Sequence, residues 1–227
     1  MPWDLKVTGT VVVLGMHRSG TSCLAGLLQE AGVDFGDVPT RSIANARGSR
    51  EDGDVVRLND DVLAYSGGSW DDPPKQLKWS MDMMSVRHEI VTRPRWLTWG
   101  FKDPRTLLTL PFWEEGLEQP RFIATVRHPF AVAKSLEKAR GINYWRGLEL
   151  WMAYNSALLK AQQRLGFPVV SFDLSAAAYD RAVRRAIDSI GIKPAGNVFF
   201  ADRLRKHWEL PKKIEEPLRG IYEELTA

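Results

Sequence analysis

Three short runs of the chain are predominantly apolar: VVVL at 11–14, RFIATV at 121–126 and PVVSF at 168–172. None alternates apolar and polar positions as a strand with one wet face does, so each is expected as a buried strand of a parallel sheet. WLTWGF at 96–101 is expected as a fourth. Helical spacing fills the gaps. It is carried by Leu24, Leu27, Leu28 and Ala31, by Leu148, Trp151, Met152, Asn155 and Leu159, and by Ala182, Val183, Ala186, Ile187 and Ile190. Val55, Leu58, Val62 and Leu63 pattern a further helix. Strand and helix in alternation predict an α/β fold, a three-layer α/β/α arrangement with a mainly parallel central sheet and right-handed crossovers. Ligands of such sheets bind outside the carboxyl ends of the strands, so the chemistry is sought just after each run.

Composition narrows this picture. The 227 residues are 44% hydrophobic, enough for one buried core, and a single domain over 1–227 is expected. The amino terminus MPWDLKVTGT has no basic stretch followed by an apolar one, and no run approaches the roughly 18 apolar residues of a membrane span. No integral membrane segment and a cytoplasmic location are therefore expected. The only cysteine, Cys23, cannot form an internal disulfide and reads as a small helix residue. A net charge of +3 is too mild to call for nucleic acid. Placement matters more, because Arg18, Lys102, Arg105, Arg127 and the group Arg203, Arg205 and Lys206 stand beside strand ends or loops. That placement suits a compact anion. The stretches 34–50 and 66–80 are rich in Gly, Pro, Asp and Ser and are candidate substrate loops.

After the first strand comes GMHRSGTS, residues 15–22. A phosphate loop of the G-x-x-x-x-G-K-[ST] kind keeps its two glycines here as Gly15 and Gly20, but Thr21 stands where lysine would reach a γ-phosphate. The backbone N–H groups of such a turn, the helix dipole, the Thr21 and Ser22 hydroxyls and the Arg18 fork still make an anion site. A second site is read in TVRHPFAVAKSL, residues 125–136. There Arg127 ends a strand, a proline opens a helix and Ser135 lies inside it. A nucleoside triphosphatase would more often place a Mg²⁺-holding aspartate at such a strand end. Two anion sites without a metal carboxylate are what the residues give.

Those two stretches together resemble the sulfotransferases that use 3′-phosphoadenosine 5′-phosphosulfate, and most closely the bacterial-type branch. NARGSREDGDVVRLND (45–60), GFKDPRTLLTLPFW (100–113) and FFADRLRKH (199–207) extend the resemblance over most of the chain. It implies the P-loop sulfotransferase fold, transfer of a sulfuryl group to a hydroxyl acceptor, and no metal. It implies cofactor binding by Gly15, His17, Arg18, Ser19, Gly20, Thr21 and Ser22 in the first loop, by Arg127 and Ser135 in the second, and by Arg205. Such a donor has no γ-phosphate, which accounts for the missing lysine. Two departures stand out: Ser49 and Arg50 replace an aromatic position after Gly48, and Cys23 stands where cytosolic members often have tryptophan.

Sulfuryl transfer needs a base, cations at the leaving phosphate and in-line geometry. The resemblance implies Glu51 as base, with Asp52 and His17 as alternatives, and Arg18 and Lys102 as the cations. Glu51 and Asp52 read equally as acids favouring a helix start. Asp103 and Arg105 read as a salt bridge. The acceptor that the resemblance implies is a small-molecule, carbohydrate or lipid hydroxyl whose identity the sequence leaves open, as it does the oligomeric state. Trp70, Trp79, Trp96 and Trp99 flank the expected acceptor side. Two other readings stay open, a P-loop kinase or nucleoside triphosphatase and a non-catalytic nucleotide-binding protein.

Overall fold

A computed structural model describes residues 9–40, 48–95, 98–196 and 213–227. Four parallel strands form its sheet: β1 (Thr10–Leu14), β2 (Trp99–Lys102), β3 (Arg121–Val126) and β4 (Val169–Ser171). These are the four apolar runs, with β2 beginning after Trp96 and Leu97, which lie outside the described residues. Their order across the sheet is β2-β1-β3-β4. The register sets Val13 beside both Lys102 and Ile123, and Val126 beside Ser171.

β1 is buried along its whole length, because both of its faces are covered. Val12 and Leu14 join one core with Phe101, Ala124, Trp151 and Tyr154. Val11 and Val13 join the other with Leu24, Leu28, Val183 and Ile187. The first core is closed by α2 (Gly53–Tyr65), α5 (Pro129–Arg140), α6 (Tyr144–Leu165) and α8 (Leu218–Thr226), the second by α1 (Thr21–Glu30) and α7 (Ala176–Ser189). Helix, sheet and helix therefore lie in layers, compatible with the expected α/β/α arrangement. Two further helices, α3 (Met81–Thr92) and α4 (Leu110–Glu114), and a 3₁₀ turn at Pro104–Leu107 complete the described elements.

The chain leaves β1 for β2 on one side and later enters β3 on the other. The strand order thus reverses around β1, and the crevice at the carboxyl ends of β1 and β3 is the switch point where open sheets bind ligands. No described helix is long and apolar enough to cross a membrane.

Candidate functional site

The first loop leaves β1 at Gly15, whose φ of 140° and surroundings both require glycine. A Cβ there would stand 2.5 Å from the Thr125 carbonyl oxygen and 2.9 Å from the Thr21 methyl. At Gly20, φ is 92° and a Cβ would lie 2.3 Å from the Phe172 ring. Between them Arg18 holds a left-handed φ of 67°, a conformation that costs a non-glycine residue energy and clusters at functional sites. Ser19 is fully buried, and its carbonyl accepts from Thr125 Oγ1 at 3.0 Å, tying the loop to β3. Helix α1 then starts with no side-chain cap and no acid in its first turn. The amides of Cys23 and Leu24 donate to the Gly20 carbonyl, and those of Thr21 and Ser22 ahead of them present a positive helix end to an anion.

The two sequence-read anion sites come together at this switch point. Arg18 Nε donates to Ser135 Oγ at 2.9 Å, across 117 residues of sequence. Arg127 Nη1 donates to the Arg18 carbonyl at 3.3 Å. Burial and then the neighbouring Arg140 lower the Arg18 pKa from the ordinary arginine value. Arg127, only 6% exposed, lies with its guanidinium carbon 5.4 Å from the Phe172 ring centroid. Arg205 lies outside the described residues, with Arg203 and Lys206.

Lys102 ends β2 and is 1% exposed. Its ammonium donates to Glu51 Oε1 at 2.5 Å and to Ser22 Oγ at 3.4 Å, and Ser22 Oγ donates to the Ser49 carbonyl at 3.1 Å. Burial draws the Lys102 pKa down, and the Glu51 carboxylate opposes that shift. The expected base and second cation therefore touch each other and the start of α1. Asp52 takes its structural role as the cap of α2, with Oδ1 accepting from the amides of Asp54 at 2.8 Å and Val55 at 3.3 Å. Arg50 is buried and donates to Gln29 Oε1 at 3.0 Å, which ties its segment to α1.

Asp103 and Arg105 form the expected bridge at 2.9 Å, and Arg105 also reaches Asp60 at 2.6 Å. Beneath them is a buried network that the sequence did not announce. Asn59 donates to Asp103 Oδ2 at 2.8 Å and Thr106 Oγ1 at 3.0 Å, while its Oδ1 accepts from Thr109 Oγ1 at 2.6 Å and Trp113 Nε1 at 2.8 Å. Its only sequence signal was a polar residue inside the apolar pattern of α2.

His17 lies under the 66–80 loop, its ring 4.6 Å from Trp70 and 6.0 Å from Tyr154. No described residue hydrogen bonds its buried Nε2. Burial first, then Arg105, Lys102, Arg140 and Arg18, hold its pKa well below the ordinary histidine value, so the ring is neutral near pH 7. Of the flanking tryptophans, Trp70 faces the site, while Trp79 packs on Phe112 and Trp99 stacks on Phe101 in the core. Trp96 lies outside the described residues.

Two residues of this region escaped the sequence reading. Phe172 and Asp173 follow β4 as Arg127 follows β3, so the same strand-end rule pointed to them. No protein-family model matches the chain, and no curated protein matches it significantly.

Proposed function

We propose that this chain is a cytoplasmic P-loop-type sulfotransferase that moves the sulfuryl group from 3′-phosphoadenosine 5′-phosphosulfate to a hydroxyl acceptor. The observation that carries this reading is the junction of Arg18, Ser135 and Arg127 at the β1/β3 switch point, beside the uncapped start of α1. Two anion-binding groups from segments more than a hundred residues apart meet there, with Thr21 in place of a γ-phosphate lysine and arginine at the β3 end. A nucleotide bearing separate 5′ and 3′ anions suits that pair.

In this reading the loop amides, Thr21, Ser22 and Arg18 bind the phosphosulfate, and Arg127 and Ser135 bind the 3′-phosphate. The acceptor oxygen forms its bond to sulfur as the bond from sulfur to the 5′-phosphate oxygen breaks. Glu51 takes the acceptor proton. Protonation cancels the charge that holds Lys102 at 2.5 Å, so the ammonium turns to the leaving oxygen just as negative charge gathers on it. Base and cation are thus coupled through one ion pair.

The test is titration with adenosine 3′,5′-bisphosphate and with ATP in the absence of metal, followed by an acceptor screen with labelled donor. Tighter binding of the bisphosphate and transfer of label support the reading. Magnesium-dependent ATP turnover would make the chain a kinase or nucleoside triphosphatase. Bisphosphate binding without transfer to any acceptor would leave a non-catalytic nucleotide-binding protein.

A further inference from the structure

The end of β4 and helix α8 converge on Arg127. Asp173 Oδ2 accepts from the His128 amide at 2.6 Å and from the Tyr222 hydroxyl at 3.0 Å, and its Oδ1 lies 3.8 Å from Arg127 Nε. The Arg127 carbonyl accepts from Trp151 Nε1 at 2.8 Å. Tyr222 touches each side of this cradle, since its ring lies 5.5 Å from His128 and 6.5 Å from Trp151. Phe172, next to Asp173, packs against both Gly20 and the Arg127 guanidinium.

We propose that Asp173 and Tyr222 are positioning residues that fix the direction of Arg127, so that the carboxyl-terminal helix α8 sets how tightly the 3′-anion is held. The inference rests on the sulfotransferase reading of Arg127. A guanidinium binds phosphate through a planar fork, and its affinity depends on holding that plane still. Asp173 Oδ1 attracts the fork across a 3.8 Å ion pair, and Oδ2 fastens the backbone behind it through His128 N–H. Tyr222 in turn fixes the carboxylate rotamer by occupying Oδ2. With the His128 amide holding Oδ2 but the tyrosine hydroxyl gone, the carboxylate would turn about that one bond, toward water or fully onto Arg127, where it competes with the ligand. With the tyrosine in place it does neither, and the remaining edge of the guanidinium keeps its bearing on Arg18.

The test compares dissociation constants of the full chain for adenosine 3′,5′-bisphosphate and adenosine 5′-phosphate in wild type, Tyr222→Phe and Asp173→Asn. Their ratio isolates the 3′-phosphate. Tyr222→Phe keeps the ring contacts and removes one hydrogen bond, and should lower the preference for the bisphosphate about threefold to tenfold while the monophosphate constant barely moves. Asp173→Asn should lower it about tenfold or more. The double variant should fall no further than Asp173→Asn, because both act through one path. A Tyr222→Phe ratio equal to that of wild type overturns the proposal, as does an equal loss for both nucleotides, which marks a general structural defect. Tyr222→Phe decides the matter if Asp173→Asn does not fold. A wild-type chain with no preference for the bisphosphate sinks the sulfotransferase reading itself, and that result needs no variant.

Discussion

Lys102 spends its charge inside the protein, at 1% exposure, and among the described residues the Glu51 carboxylate and the Ser22 hydroxyl hydrogen bond its ammonium. A buried cation without a paired anion is expensive, so the two side chains depend on each other and act as a unit. Glu51→Gln should therefore cut turnover by about 10²- to 10⁴-fold while adenosine 3′,5′-bisphosphate affinity stays close to wild type. A fully active variant would hand the base role to His17, since Asp52 is committed to capping α2. His17 has its own signature in pH. Its folded pKa is depressed, so in acid the unfolded chain binds a proton that the folded imidazole does not. Stability on this account is level above about pH 6.5 and falls as pH drops below it. His128, lowered chiefly by burial, pulls in the same direction. The loss of Tm on going from about pH 7.5 to about pH 5.5 should be smaller in His17→Gln than in wild type, as read by scanning calorimetry at the two pH values. Arg18, Lys102, Arg127 and Ser135 were legible as candidates from their places in the glycine-bounded loop, at strand ends and in the helix after Arg127, whereas Glu51 was legible as a base only through the family resemblance. Which of them touch was not legible.

Elements were legible in proportion to how much of their pattern local burial dictates. All four described strands fall on the apolar runs, since a strand covered on both faces has no polar position to blur it. Helix α6 is present where its periodicity predicts it, yet Met152 is 37% exposed while Leu150, Tyr154 and Leu158 are buried. The stripe is turned because α6 packs on α5, with Gly147 against Ala133, rather than on the sheet alone. Helices α3 and α8 gave no usable signal. α3 buries only Arg87 and Ile90, and Arg87 works by stacking on Phe112 and donating to its carbonyl. α8 buries Leu225 and otherwise leans half-covered on its neighbours. Both are helices that tertiary contact completes. The join between α2 and the segment after β2 is equally tertiary, and Asn59 is its pin. Asn59→Ala would leave Asp103, Thr106, Thr109 and Trp113 each short of a partner in a buried site. Urea unfolding should show a loss of about 2–4 kcal/mol, large because unpaired buried polar groups lose their full solvation.

Across the whole molecule, positive charge gathers at one end of the sheet although the net charge is only +3. Arg18, Lys102 and Arg127 arrive there from three strands, and the open end of α1 adds its dipole. Binding of a bisphosphate to such a focus should weaken as salt rises from about 50 to about 500 mM, and more steeply than binding of the monophosphate, because more charge is screened. Isothermal titration at the two salt levels checks this. By itself the sequence determined the parallel sheet, the glycine-bounded turn and the residue types at the strand ends, since periodicity and backbone sterics act over a few neighbouring positions. Only the tertiary structure decided that Arg18 meets Ser135 and Arg127, that Lys102 meets Glu51, and that Asp173 and Tyr222 stand behind them. Those contacts span tens to more than a hundred residues of chain, and it is strand order and layer packing, which no local pattern carries, that close such distances.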